Sequence, residues 1–143
     1  MLEEIKKIFI EYEKSINVDL SFQNFEEELN SLPGKYAKPD GIIILALVDG
    51  QGAGCVALRR ISDSICEMKR LYVREAYRGL GIGNKLISII IEEARKLNYK
   101  YMRLDTLSTL KSAFKLYKSY GFYEIEPYIY NPLKEAKYLE LEL

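Results

Sequence analysis

The stretch that decides the fold lies near the centre of the chain and is Arg78-Gly79-Leu80-Gly81-Ile82-Gly83. A largely apolar, strand-like run at residues 65–73 precedes it, and a helix with apolar residues at helical spacing follows it to about residue 97. A strand, a glycine-rich turn and a helix in this order direct unpaired backbone N–H groups at an anion such as a phosphate. The stretch therefore predicts a phosphate-binding loop.

The spacing of the glycines distinguishes between kinds of phosphate loop. A Walker A loop requires Gly-Lys-Ser or Gly-Lys-Thr, whereas Gly83 is followed by Asn-Lys-Leu. The dinucleotide fingerprint Gly-x-Gly-x-x-Gly needs one residue more than the spacing of Gly79, Gly81 and Gly83 provides. The pattern that fits is Arg-x-x-Gly-x-Gly, which begins at Arg78.

Composition excludes several kinds of chemistry. The chain has 143 residues and no histidine, so neither a Ser-His-Asp triad, nor a Cys-His pair, nor a zinc site with histidine ligands can form. The length predicts one domain, residues 1–143. Cys55 and Cys66 are too few for a four-cysteine zinc site and form at most one disulfide. We expect no metal, and two buried thiols in a reducing cytoplasm.

The zero net charge conceals a polarity along the chain. Residues 59–118 carry a balance of +8, whereas residues 1–40 carry −4 and residues 119–143 carry −3. A basic middle segment indicates either an anionic ligand or a solvated charged surface. The chain shows no nucleic-acid-binding motif, no run long enough to span a membrane and no secretory signal. We therefore expect a cytoplasmic protein that binds neither nucleic acid nor membrane.

Hydrophobic periodicity predicts the element order ααβββαβαββ, a mixed α/β domain of the α+β type. Helices are predicted at 2–16, at 21–31 with Ser21 as N-cap, after the glycine cluster to about 97, and from a cap at Ser108 or Thr109 to Gly121. Strands are predicted at 42–48, 53–60, 65–73, 101–106, 122–126 and 138–143.

Two motifs resemble the GNAT superfamily of acyl-CoA-dependent N-acetyltransferases. The first is the strand Glu67-Met68-Lys69-Arg70-Leu71-Tyr72-Val73 with the glycine loop, similar to the family's fourth strand and Gln/Arg-x-x-Gly-x-Gly/Ala loop. The second, Leu116-Tyr117 with Tyr120-Gly121-Phe122, is similar to the family's Leu-Tyr-x-x-x-Gly-Phe segment. The match covers about residues 41–143. It implies a mostly antiparallel sheet, splayed between strands 4 and 5 and flanked by about four helices.

The resemblance implies that acetyl-CoA is the co-substrate. Loop amides would bind its pyrophosphate, and Leu71 and Val73 would pair with the pantetheine arm as an added strand. Arg74 is a further candidate for an outer phosphate contact. The implied coenzyme-binding residues are Leu71, Tyr72, Val73, Arg78, Gly79, Leu80, Gly81, Ile82, Gly83, Asn84 and Lys85.

The resemblance also implies two catalytic residues. Glu67 lies eleven residues before Arg78, where family members often carry a carboxylate base that acts directly or through a water. The alternative for Glu67 is a surface or salt-bridged glutamate beside Lys69 or Arg70. Tyr117 matches the tyrosine whose hydroxyl faces the coenzyme sulfur and can protonate the leaving thiolate. The alternative for Tyr117 is a core tyrosine on an amphipathic helix.

Two features of the sequence depart from the family pattern. Many members carry an asparagine seven residues before the tyrosine, where this chain has Leu110. The family's first strand is missing or short, because the chain starts inside the first predicted helix. The strand that corresponds to the family's second is then either an exposed edge of the sheet or covered by a partner chain, as in a homodimer.

The family places the acceptor between the first two helices and the late loop at 126–132. Tyr128, Tyr130 and Asn131 are candidate acceptor contacts, and Arg70 or Arg103 could bind an acceptor carboxylate. We expect an N-acetyltransferase that transfers an acetyl group from acetyl-CoA to a small amine, or to a peptide or protein N-terminus, by direct attack in a ternary complex. The alternatives are a non-catalytic acyl-CoA-binding module and a transferase that uses another acyl-CoA donor.

Overall fold

The structure, a computed structural model, describes residues 1–16 and 20–143, and these form four α-helices and six strands. The helices are α1 (Leu2–Ser15), α2 (Phe25–Ser31), α3 (Ile82–Lys96) and α4 (Lys111–Ser119). The strands are β1 (Ile42–Val48), β2 (Gln51–Arg60), β3 (Ile65–Val73), β4 (Tyr101–Leu107), β5 (Tyr123–Glu124) and β6 (Ala136–Glu142). This is the predicted element order.

The strands form one sheet in the order β1-β2-β3-β4-β6-β5. Neighbouring strands are antiparallel except β3 and β4, which are parallel and connected through α3. These two strands correspond to the family's fourth and fifth, since no strand precedes α1 within the described residues. The predicted mixed α/β fold, with a mostly antiparallel sheet and four helices, is confirmed.

β3 and β4 pair only at their first residues and then separate. Their register ends where Glu67 lies opposite Arg103, whereas β3 continues to Val73. On its other side β3 has an irregular register with β2, and Arg70 adopts a φ of 60° there. A bulge of this kind bends a strand and increases its twist. The result is a wedge-shaped opening between the second half of β3 and β4.

Helices cover both faces of the sheet and enclose two apolar cores. On one face, Ile87 and Ile90 of α3 pack in a cluster with Val56 of β2. On the other face, Phe9 of α1 packs in a cluster with Cys55 of the same strand. Adjacent strand residues point to opposite faces, so β2 is buried on both sides. No helix among the described residues is both long enough and apolar enough to cross a membrane.

The second helix begins later than the sequence predicts. Ser21 lies in a 3-10 turn at Leu20–Gln23, and α2 starts at Phe25 after Asn24, which is left-handed with a φ of 57°. Leu20 and Phe25 are both buried in the core beneath α1. Burial of these two side chains outweighs the local capping preference of Ser21.

The last two element boundaries also differ from the prediction. α4 follows Leu110 as its N-cap residue, so neither Ser108 nor Thr109 caps it. β5 has two residues instead of five, although Ile125 N–H still donates to Tyr138 O at 2.8 Å. Pro127 then follows, and it has no N–H to continue the ladder. The chain leaves the sheet there, and the loop that begins at this point reaches the wedge.

Candidate active site in the wedge between β3 and β4

A groove of about 680 Å³ extends along the open edge of β3. Four segments contribute to its lining: the C-terminal end of α1, residues 71–73 of β3, the glycine loop with the first turn of α3, and the start of α4 with the residues before it. A groove of this volume accommodates a ligand of drug-like size or larger. The predicted phosphate loop therefore faces a space that is large enough for an extended cofactor.

The glycine loop presents the N-terminus of α3 to this groove. Lys85 N–H donates to Gly81 O at 3.1 Å and is the first amide to donate within the helix, so the amides of Ile82, Gly83 and Asn84 have no acceptor inside it. Gly81 has a φ of 78°, a conformation that favours glycine. Unpaired amides and the helix dipole together attract an anion.

Arg78 anchors the loop to the end of β3. Its Nε–H donates to Val73 O at 2.9 Å, and its guanidinium lies 5.6 Å from the centre of the Tyr72 ring. The side chain remains exposed beside the groove. One arginine thus fixes the loop geometry and also contributes positive charge where the anion would bind.

The structure brings nine of the eleven predicted coenzyme contacts to the groove: Leu71, Tyr72, Val73, Arg78, Gly79, Gly81, Ile82, Gly83 and Asn84. The other two, Leu80 and Lys85, are not among the described residues that line the groove, and Leu80 is 65% exposed. Arg74, the further phosphate candidate, instead binds Glu4 at 2.6 Å and Glu11 at 2.7 Å. Arg74 therefore holds α1 against the end of β3.

A smaller inner cavity of about 70 Å³ lies deeper in the wedge. Residues 68–71 of β3, residues 104–107 of β4 and two residues of the β5–β6 loop contribute to its lining. The groove and the inner cavity adjoin each other, because both are lined by Tyr12, Ile16, Leu71, Leu110 and Ala113. A ligand in the groove and a second one in the inner cavity would meet beside Leu71.

Tyr117 of α4 lines the inner cavity. Its ring packs edge-on against Phe122 at 5.8 Å between centres, and its side chain is almost completely buried. Burial first, and then Tyr12 and Asp105, raise the pKa of its phenol. The hydroxyl is therefore protonated at neutral pH.

Glu67 is fully buried and is the last residue of β3 that pairs with β4. Its Oε1 accepts from Arg59 Nε at 2.7 Å, and its Oε2 accepts from the Tyr128 hydroxyl at 2.7 Å. Lys69 Nζ lies 3.9 Å from Oε1. Burial alone would raise the pKa of Glu67, but Lys69 and Arg59 outweigh it and hold the pKa below its ordinary value. The carboxylate is therefore ionised and already accepts a hydrogen bond at each oxygen.

The three predicted acceptor contacts occupy different places. Asn131 lines the inner cavity and donates from Nδ2 to Asp105 Oδ2 at 3.1 Å. Tyr128 binds Glu67, and burial followed by the Glu67 charge raises the pKa of its phenol. Tyr130 is 71% exposed. Of the three, Asn131 is the one that lines the inner cavity.

Both arginines considered for an acceptor carboxylate have internal carboxylate partners. Arg70 binds Glu28 of α2 through two hydrogen bonds of 2.9 and 3.0 Å, and both residues are buried. Arg103 binds Glu140 of β6 at 2.8 Å. The ion pair of Arg70 thus connects α2 to β3, and the ion pair of Arg103 connects β4 to β6.

Two charged residues of the inner cavity were missed from the sequence. Lys69 lines it from β3 and Asp105 lines it from β4. Residues two apart in a strand point to the same face of the sheet. Glu67 and Lys69 in β3, and Arg103 and Asp105 in β4, have this spacing, which could have indicated that each pair shares a face. Without the position of the wedge, this spacing could not be connected to a site.

Comparison with known proteins gives the family. The sequence profile of the Acetyltransferase (GNAT) family matches residues 2–122, which include the glycine loop and both catalytic candidates. The chain belongs to the GNAT family of acetyltransferases. In this GNAT protein the splayed strands are β3 and β4.

An uncharacterized N-acetyltransferase of Schizosaccharomyces pombe is 44% identical over 144 residues, which cover 99% of this chain and 88% of that protein. A GNAT acetyltransferase structure from Staphylococcus aureus has a TM-score of 0.80 and 25% identity, over 96% of this chain and 92% of that chain. A GNAT acetyltransferase from Elizabethkingia anophelis with acetyl-CoA bound has a TM-score of 0.63 and 25% identity, over 73% and 77% of the two chains. The first two of these similarities extend over nearly the whole chain.

Proposed function

We propose that this GNAT protein transfers an acetyl group from acetyl-CoA to an amine by direct attack in a ternary complex. The observation that carries the proposal is that the groove and the inner cavity adjoin each other along shared residues. Coenzyme A in the groove would place its pyrophosphate at the glycine loop and its thioester beside Leu71, where the inner cavity begins. The acetyl-CoA bound to the Elizabethkingia anophelis family member supports this choice of ligand.

The second half of β3 is the proposed contact for the pantetheine arm. β4 diverges after Glu67, so within the described residues the wedge side of β3 has no neighbouring strand beyond that point. Ligand amides can pair with such an edge as an added strand. We expect the backbone N–H of Leu71 or Val73 to polarise the thioester carbonyl and to stabilise the tetrahedral oxyanion.

The reaction requires one group that donates a proton to the leaving sulfur and one that takes up a proton from the amine. The acceptor ammonium loses one proton before attack and a second as the amide forms, while the leaving sulfur gains one. Tyr117 is the proposed donor to the sulfur, and it regains a proton from the reacting nitrogen. The remaining proton passes to a carboxylate and then to solvent.

Two carboxylates can take up this proton. Glu67, the predicted base, would act through an intervening water, because its oxygens already accept from Arg59 and Tyr128. Asp105 lines the inner cavity itself. A carboxylate close to the acceptor nitrogen can take its proton without an intervening water. Its position in the lining therefore favours Asp105 as the group that takes up this proton.

Direct attack is favoured over an acetyl-enzyme intermediate. Such an intermediate on sulfur requires an exposed thiolate, and the chain has two cysteines, both fully buried. Burial raises the pKa of Cys55 and of Cys66 to about 12, so both are thiols at neutral pH. The chain also contains no histidine that could activate them.

Initial-rate kinetics test the ternary complex. The rate of coenzyme A thiol release is measured while acetyl-CoA and an amine acceptor are varied together. Direct attack predicts double-reciprocal lines that intersect, because both substrates must be bound before any product leaves. Parallel lines would contradict the proposal, since they are the pattern of a covalent acetyl-enzyme.

A further inference from the structure

The bulge in β3 lies at Arg70 and Leu71, where one residue of β2, Val56, is opposite both. Arg70 has a φ of 60°, a left-handed conformation that is unfavourable for a residue with a Cβ. Three other non-glycine residues among those described have a positive φ, and all three lie in turns, whereas Arg70 lies inside a strand. Met68 and Leu71 both pack on the α3 face although they are three residues apart, so the bulge shifts the alternation of the strand.

The same shift decides which backbone amides of β3 face the wedge. Successive residues of a strand direct their N–H and C=O groups to opposite neighbouring strands. Ile65 O accepts from Ile61 N–H at 2.9 Å, so odd-numbered residues before the bulge face β2. After the bulge, Arg74 N–H donates to Ala53 O at 2.8 Å, so even-numbered residues face β2 and Leu71 N–H points to the wedge. Without the bulge, Leu71 N–H would point to β2.

The side chain of Arg70 is held by a carboxylate of α2. Its Nε and Nη2 donate to the two Glu28 oxygens at 2.9 and 3.0 Å, and the two side chains are 2% and 5% exposed. The guanidinium also lies 5.1 Å from the centre of the Phe25 ring and 5.8 Å from that of Tyr12. A bidentate pair fixes the orientation of a guanidinium as well as its distance. These contacts therefore restrain the chain at the bulge.

We propose that Arg70 and Glu28 are positioning residues for the acetyl transfer, because their ion pair holds the bulge in the conformation that directs Leu71 N–H at the thioester carbonyl. A left-handed conformation at a non-glycine residue persists only where the surrounding structure stabilises it. The bidentate ion pair provides this stabilisation beside the inner cavity, which Arg70 and Leu71 both line. This role rests on the proposed function and assigns the residues that prepare its oxyanion donor.

The infrared band of the acetyl carbonyl tests this role, because a donor that polarises the carbonyl lowers its stretching frequency. Acetyl-CoA with an isotopic label at the acetyl carbonyl is bound to the wild type and to Arg70→Ala, and the spectrum with unlabelled acetyl-CoA is subtracted. We expect the band to lie at a higher frequency in Arg70→Ala, and kcat to fall about 100-fold, the lower end for losing one oxyanion donor. A wild-type frequency in the folded variant would overturn the inference.

Arg74→Ala is the matched control. Arg74 follows β3 directly and binds Glu4 and Glu11 of α1, so this variant also removes ion pairs between the strand and a helix. It leaves the bulge intact and should keep the wild-type frequency. Coenzyme A without an acetyl group should bind both variants with unchanged affinity in calorimetric titration, which verifies that they are folded. An equal frequency shift in the two variants would indicate a general loosening of β3 and would contradict the proposed role.

A glycine variant separates the backbone conformation from the ion pair. Glycine adopts a φ of 60° without strain, so Arg70→Gly should shift the band less than Arg70→Ala, although both lack the ion pair. Equal shifts would show that the left-handed conformation does not direct the donor. If Arg70→Ala does not fold, Glu28→Gln replaces it, since it keeps the shape of the side chain and removes its charge. A wild-type frequency in Glu28→Gln would likewise overturn the inference.

The same spectra distinguish this role from the proposed function. If the wild-type protein gives no band for bound acetyl-CoA, coenzyme binding fails, and the proposed transfer fails together with the role of the ion pair. If the band is present and acetyl groups are transferred, but Arg70→Ala matches the wild type, the transfer stands and only the role of the ion pair is wrong.

Discussion

The proposed role of Tyr117 as proton donor can be tested by removing its hydroxyl group. In Tyr117→Phe the ring keeps its contact with Phe122, and the groove is unchanged. We expect kcat to fall about 100-fold, because a positioned acid contributes at least this factor, while the Kd for acetyl-CoA stays the same. Steady-state kinetics and calorimetric titration measure the two quantities.

Tyr123→Phe is the matched control for this change. Tyr123 is 41% exposed, and its hydroxyl donates to Glu140 at 2.5 Å. Its loss should leave kcat unchanged. An unchanged kcat in Tyr117→Phe would remove Tyr117 from the mechanism.

Glu67 should make the fold sensitive to acid. Its pKa is below the ordinary value in the folded chain, because Lys69 and Arg59 outweigh the effect of burial, and it is ordinary in the unfolded chain. The resulting stabilisation is complete above the ordinary carboxyl pKa and is lost as the pH falls through the folded value. We expect Glu67→Gln to lower the free energy of unfolding at neutral pH by about 3–5 kcal/mol, since it removes the buried carboxylate that Lys69 and the partly buried Arg59 share.

Urea unfolding at a series of pH values measures this effect. The free energy of unfolding of the wild type should fall more steeply toward acid than that of Glu67→Gln. Identical slopes would show that the carboxylate does not stabilise the fold through its charge. A normal turnover of a folded Glu67→Gln protein would assign the proton uptake to another group.

The sequence predicts candidate site residues, but it does not predict the partners that the structure gives them. Glu67 and Tyr117 follow from two local motifs. The contacts of Glu67 with Arg59 and Tyr128 join positions 8 and 61 residues away along the chain. Such distant pairs depend on how the strands and the late loop pack, which a pattern in one stretch does not specify.

At the scale of elements, the turn between β3 and α3 gives a prediction with an internal control. Gly81 and Gly50 both have a φ of 78°, and a Cβ added to either would meet nothing within 4 Å among the described residues. Each change to alanine should therefore cost a similar conformational energy, about 1–2 kcal/mol. Gly81 lines the groove, whereas Gly50 lies in the turn between β1 and β2.

We expect Gly81→Ala to weaken acetyl-CoA binding at least tenfold, because the new methyl group would project into space beside the phosphate loop. Gly50→Ala should lose the same stability and keep its affinity. Thermal unfolding and calorimetric titration of the two variants make the comparison. Equal affinities would show that the phosphates do not lie at Gly81.

Element order and type could be predicted from periodicity, whereas element ends depended on tertiary contacts. β3 begins and ends at the predicted residues, because its neighbours are turns with clear signals. α2 is shortened by the burial of Leu20 and Phe25 in one core. The two-residue β5 ends just before a loop whose Asn131 enters the wedge. The largest differences from prediction therefore lie beside the site.

At the scale of the whole molecule, charge segregation along the chain serves folding as well as ligand binding. Glu4 and Glu11 of the acidic first segment pair with Arg74, and Glu28 pairs with Arg70. These ion pairs attach α1 and α2 to β3 and neutralise part of the basic middle segment. Arg78 remains exposed at the groove, so positive charge persists where the coenzyme phosphates are proposed to bind.

One wedge is proposed to bring an acetyl thioester and an amine together. The most direct test follows coenzyme A thiol release from acetyl-CoA with the protein alone and after addition of amino acids or amines. We predict release that depends on the acceptor, with mass spectrometry finding the acetyl group on the acceptor nitrogen. Release that is equally fast without an acceptor, or no release with any amine from protein whose Tm acetyl-CoA raises, would contradict the account.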